Sequence, residues 1–75
     1  MTQKLVHGPT VTVVSELIER CDHCGAAGKL NAQFHTGGEL TFCGHHANRF
    51  AARLNDSAAQ IMIELGFGWR GESAA

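Results

Sequence analysis

Apolar and polar positions alternate along this chain in two ways, with a period of two in its first half and a helical period in its second. The β-branched run TVTVV from Thr10 predicts a short strand. Ser15 then stands where an N-cap would, with Glu16 in the first turn, so a brief helix is expected over Glu16 to Arg20, its Leu17 and Ile18 packing inward. Further on, Leu30, Ala32 and Phe34 alternate with Asn31, Gln33 and His35, and Leu40 and Phe42 alternate with Glu39 and Thr41. That is a β-hairpin with one apolar face. A two-residue Gly37-Gly38 loop would oppose Phe34 to Thr41 and mix the faces. A three-residue loop, Thr36-Gly37-Gly38 with Gly38 left-handed, instead opposes Phe34 to Leu40, Ala32 to Phe42 and His35 to Glu39.

From about Gly44 the period changes. Phe50, Leu54, Ala58, Ile61 and Leu65 fall at helical steps, which predicts one long helix from about His45 to Leu65 with Gly66 as its terminator. Such a helix of roughly 20 residues spans about 30 Å, more than a small hairpin covers. Its second half, with Ala59, Met62 and Ile63 beside the main stripe, would pack on the N-terminal strand or on a second molecule. The tail GFGWRGESAA carries Phe67 and Trp69, which either fold back on the helix end or dock into a partner. The expected organisation is a flexible N-terminus over 1–9, with His7 solvated, a folded domain over 10–65 and a C-terminal tail over 66–75.

Size and charge narrow the class. The 75 residues hold one domain, and 44% hydrophobic residues with modest charge argue for a folded chain. No run of some eighteen apolar residues is present, so a soluble, cytoplasmic protein is expected. Six basic against seven acidic side chains give a formal charge of -1. That is poor material for unspecific nucleic-acid binding, which draws on phosphate neutralisation, and it favours a protein partner.

The chemistry sits between Cys21 and His46. Cys21-x2-Cys24, eighteen residues, then Cys43-x2-His46 is the spacing of a four-ligand structural zinc site. Domains this small commonly need such a staple. The chain's three cysteines all lie in the site, an odd number that cannot be fully paired within the chain, and no apolar secretory signal precedes them. A thiol-disulfide role for Cys21 and Cys24 is disfavoured because Gly25-Ala26-Ala27-Gly28 follows instead of a helix in a βαβ setting. His46 matches the x2 spacing, and His45 is the competing ligand. His23 and His35 are read as exposed residues available for a second-shell or partner contact. Knuckle, hairpin and a helix supplying the second ligand pair describe, by analogy, a treble-clef zinc finger. The fold class is therefore small α+β, with one structural zinc ion. Three thiolates and an imidazole leave no open coordination position, so no catalysis is expected.

The strings CDHCGA and GELTFCGHH with a following amphipathic helix resemble very small zinc-finger proteins of actinobacteria and their phages, of uncharacterised function. The resemblance covers about residues 20 to 65. It implies a zinc site at Cys21, Cys24, Cys43 and His46, and it implies no activity.

Two functions compete. One is a non-enzymatic adaptor or regulatory module, host-directed if phage-encoded, that presents Met62, Ile63, Phe67 and Trp69 to a protein partner or to a second copy through the helix. The other is nucleic-acid binding through Arg20, Lys29, Arg49 and Arg53, a thin footprint diluted by Glu19 and Asp22.

Overall fold

The computed structural model describes residues 9–73. The loose lead-in expected over 1–9 thus lies, apart from Pro9, outside the described residues, and so does His7. Thr10–Val14 forms β1, as its β-branched run predicts, Leu30–Phe34 forms β2 and Glu39–Phe42 forms β3. Two short helices follow, α1 over Gly44–Arg49 and α2 over Ala51–Ser57. A further strand, β4, covers Ala58–Glu64, and a last turn of helix, α3, covers Arg70–Ser73. The fold is small α+β, built on a four-stranded sheet of order β1-β4-β2-β3. Among the described residues no helix is long and apolar enough to cross a membrane.

The single long helix is not formed. Its first half becomes α1 and α2, broken at Phe50 (φ -101°, ψ 18°), and its second half becomes a central strand. β4 lies parallel to β1, with Val11 beside Ile61 and Val13 beside Ile63, and antiparallel to β2, with Ala32 opposite Ile61 and Leu30 opposite Ile63. A strand between two others satisfies its backbone groups on both sides and buries β-branched Ile61 and Ile63 at every second position. Ala58 and Ile61 are buried in either conformation, but Leu65, on the same supposed stripe, is 68% exposed. Gly66 is left-handed (φ +92°), yet it follows a strand and not the helix it was expected to terminate. The expected dimer contact along the helix's second half therefore has no helix to form it.

The brief helix over Glu16 to Arg20 is also absent. That segment carries no regular structure up to Arg20, which makes an isolated bridge to Ala27. The Leu17 N–H donates to Glu64 Oε1 (3.1 Å), and Glu64 is in turn 2.6 Å from Lys29 Nζ. These side-chain bonds take the place of a helical turn. Leu17 is half-buried, while Ile18 is 83% exposed and does not pack inward.

The hairpin keeps its predicted faces and shifts its register by two. Ala32 opposes Leu40, Leu30 opposes Phe42 and Gln33 opposes Glu39. The turn closes one residue earlier than expected, on Phe34: Gly37 N–H donates to Phe34 O (3.0 Å) and Phe34 N–H to Gly38 O (3.1 Å), so the loop is His35-Thr36-Gly37. Gly37 and Gly38 are both left-handed (φ +100° and +81°), a conformation that favours glycine. Shifting by an even number leaves every side chain on its face.

One core results. Leu30, Ala32, Phe42, Ile61 and Ile63 from the sheet join Ala47, Leu54 and Ala58, together with Cys21, Cys43 and Trp69. The tail is part of this core: Trp69 is 3% exposed and its Nε1–H donates to Ala47 O (2.9 Å). Asn48 clamps the same segment by accepting from Arg70 N–H (2.6 Å) and donating to Gly68 O (3.4 Å).

Candidate metal centre

The first ligand pair sits on a tight turn. Cys21 N–H donates to Ala26 O (2.7 Å) and Gly25 N–H to Cys21 O (2.8 Å), with Gly25 left-handed (φ +81°). A glycine meets that conformation without strain. The turn is pinned to the sheet by Asp22, whose N–H donates to Thr41 O (2.8 Å) and whose Oδ2 accepts from Thr41 N–H (2.7 Å). Thr41 is the penultimate residue of β3, so the same strand that carries Cys43 out of the sheet also holds the knuckle.

The second pair is positioned by a helix start. Cys43 is the N-cap of α1 (φ -74°, ψ 173°), and its Sγ accepts from His46 N–H (3.4 Å). Because residues three apart share a side of a helical turn, His46 returns its ring toward Cys43. His46 Nδ1 lies 3.2 Å from Cys43 Sγ and 3.7 Å from Cys21 Sγ, and Cys24 Sγ lies 3.8 Å from Cys43 Sγ. The ligand atoms of Cys21, Cys24, Cys43 and His46 all lie within 4.8 Å of one another.

These spacings can be compared with a coordination sphere. Metal–sulfur bonds of about 2.3 Å and metal–nitrogen bonds of about 2.0 Å at tetrahedral angles separate sulfurs by about 3.8 Å and sulfur from nitrogen by about 3.5 Å. The separations of 3.2, 3.7 and 3.8 Å fall close to these values, and all four ligand atoms stay within 4.8 Å of one another. Cys21, Cys24, Cys43 and His46 can therefore hold one metal ion. His46 belongs to this cluster and His45, which is exposed, does not.

The electrostatics suit a cation. Burial pushes the Cys21 thiol up, but N–H donors from Cys43, Cys24 and His23 outweigh it and bring the group down to about 7. At Cys24 the Ala26 N–H pulls downward, while burial and the neighbouring Cys21 and Cys43 sulfurs together push the thiol above its ordinary value. Burial, then the charges of His23, His45 and Arg49, lower His46 and favour the neutral imidazole that ligation requires. Adjacent sulfurs that resist losing a second proton are those a bound dication deprotonates outright.

Three neighbours had no place in the ligand spacing. Phe50 stacks on the His46 ring (centroids 5.9 Å, 17° between planes), and His23 packs against it from another side (4.2 Å, 60°). Asp22 is the third. Asp22 and His23 both lie between the two knuckle cysteines, and of the three only His23 was expected to make such a contact, whereas Phe50 counted only as a core position.

The remaining predicted residues fall elsewhere. Ile63 and Trp69 are buried, Met62 is half-buried on β4, and Phe67 packs on Gly44, where a Cβ would stand 3.1 Å from its ring. The presented surface expected from Met62, Ile63, Phe67 and Trp69 is thus not one this fold offers. Arg20 Nη1 donates to Gly25 O (3.2 Å) and braces the knuckle, and Lys29 is paired with Glu64. Arg49 and Arg53 are exposed and line different cavities, Arg49 with His45 and Arg70, Arg53 with apolar residues of the hairpin and α2. His35 is exposed at the hairpin turn.

No curated protein and no solved structure matches the chain. The profile of the domain of unknown function DUF7455 matches residues 15–67, from the residue after β1 to Phe67, and so takes in the knuckle, the hairpin, both ligand pairs and the central strand. With that much of its length matched, the chain belongs to the DUF7455 family.

Proposed function

We propose that this protein is a non-enzymatic interaction module held together by one structural zinc ion on Cys21, Cys24, Cys43 and His46. The observation that carries the reading is the convergence of three sulfurs and one imidazole nitrogen within 4.8 Å of one another, with contacts of 3.2, 3.7 and 3.8 Å among them. Such a donor set suits zinc in tetrahedral geometry and uses every position, leaving none for substrate or water. A role in binding is supported by the apolar side chains left in solvent, Val13, Ile18, Leu40 and Leu65, which are 57%, 83%, 42% and 68% exposed. Thiolate ligands call for a reducing compartment, so we take the cytoplasm as its location, the host's cytoplasm if a phage encodes it.

Nucleic-acid binding draws less support. Of Arg20, Lys29, Arg49 and Arg53, the first two already serve the knuckle and Glu64. Native mass spectrometry of the purified protein tests the central claim: one zinc per chain is expected, and a folded chain without metal overturns it. Anisotropy of a labelled oligonucleotide tests the competing function, for which steeply salt-dependent binding is the signature.

A further inference from the structure

Phe50, whose ring stacks on the metal-ligand candidate His46, also lines a groove of about 240 Å³ between the hairpin and α2. Phe34, Leu40, Phe42 and Leu54 make up the rest of its apolar wall. Leu54 and Phe42 are core residues, 3% and 7% exposed, whereas Leu40 stands 42% exposed. The lining therefore joins fixed core side chains to an aliphatic one left in solvent. Its one charged group is Arg53, and it holds no carboxylate. Ser57, the remaining polar residue, has its hydroxyl turned back to Arg53 O (2.5 Å).

We infer that this groove is a docking site for a partner polypeptide that presents a large apolar side chain next to a carboxylate, the apolar group entering between Leu40 and Leu54 and the carboxylate meeting Arg53. The inference rests on the interaction role proposed above and names the chemistry of the partner. Charge complementarity selects the occupant, because an apolar anchor alone would leave the Arg53 guanidinium without a counter-charge. The chain's own ends fit poorly in sequence. MTQKLVHG before Pro9 has a lysine and no carboxylate, and Glu72-Ser73-Ala74-Ala75 has no large apolar residue. Trp69, the tail's large aromatic, is engaged with Ala47. A second copy has segments of similar chemistry, Ile18 beside Glu19, Leu40 beside Glu39 and Leu65 beside Glu64, and the experiment below separates it.

The test uses the metal-loaded protein and three blocked tetrapeptides, Ser-Leu-Glu-Ser, Ser-Leu-Gln-Ser and Ser-Leu-Lys-Ser, followed by NMR. Shifts are expected at Leu40, Phe42 and Leu54, with the Glu peptide about two- to fivefold tighter than the Gln peptide and the Lys peptide weakest. Arg53→Gln should erase the Glu–Gln difference while leaving metal content unchanged, and Leu40→Ser should weaken all three. Groove residues that none of the peptides shifts, or a charge preference that survives Arg53→Gln, overturns the assignment. Peptide shifts confined to another face overturn the groove and leave the interaction role standing. Oligonucleotide binding with no peptide binding overturns both. Groove shifts that grow with protein concentration alone, without any peptide, replace the partner polypeptide with a second copy.

Discussion

Asp22 and Thr41 exchange two hydrogen bonds, Thr41 N–H to Asp22 Oδ2 at 2.7 Å and Asp22 N–H to Thr41 O at 2.8 Å. Thr41 is paired with Asn31 of β2 on its other side, so Asp22 occupies the outer edge of β3 as a further strand residue would. An edge is thereby closed, and the knuckle is held where its sulfurs meet Cys43 and His46. Removing the carboxylate strips the partner from a buried N–H, so Asp22→Ala should lose about 1–3 kcal/mol of stability. Metal affinity should fall about 10- to 100-fold with it, as for other groups that orient ligands. Denaturant titration and chelator competition on one variant read both quantities.

Ligand identity separates two adjacent histidines. Cys24→Ser should strip the metal and unfold the domain, and His46→Ala should reduce metal affinity more than about 100-fold, beyond what an orienting residue contributes. His45 lies outside the cluster, so His45→Ala should change affinity little. Chelator competition on the three variants gives the order, and a larger loss for His45→Ala than for His46→Ala would move the ligand.

Ile61 and Leu65 distinguish a strand from the helix that their spacing suggests. On a helical stripe both would be buried, but here Ile61 is 0% and Leu65 68% exposed. Ile61→Ala should therefore lose about 2–5 kcal/mol, whereas Leu65→Ala should stay within about 0.5 kcal/mol. Equal losses in denaturant unfolding would return the segment to a helix.

Trp69 should behave as a core residue. Trp69→Ala opens a cavity against Ala47 and orphans its carbonyl bond, with an expected loss of about 3–5 kcal/mol. A variant of unchanged thermal stability would instead make the indole a surface group.

The Lys29–Glu64 pair has a defined pH signature. Lys29 Nζ, with the Leu17 N–H after it, holds the Glu64 carboxyl below its ordinary 4.5. With a folded value below the unfolded one, the pair's contribution is complete above about pH 4.5 and disappears as pH falls through the folded value. Lys29→Met should raise the Glu64 titration midpoint, followed by carboxyl ¹³C shifts. An unmoved midpoint would assign the effect to Leu17 alone.

How much of this was legible follows from the range over which each feature is decided. The ligands come in two local pairs, each set by one turn of backbone, so Cys21, Cys24, Cys43 and His46 could be read from spacing. The hairpin's faces were legible because an even register shift preserves them, while the register itself depended on where the turn closed on Phe34. The run Ala58 to Glu64 was not legible, since a short apolar segment satisfies both periods and only its two neighbours choose between them. By itself, then, the sequence determined the metal-ligand candidates, β1, the alternation of the hairpin and the need for a staple in so short a chain. Tertiary structure alone decided that Ile61 and Ile63 lie on an interior strand, that Leu17 gives its N–H to Glu64 in place of a helical turn, and that Trp69 closes the core. The physical reason is that strand pairing and core closure join residues far apart in the chain, whose mutual burial outweighs the local preferences that a sequence displays.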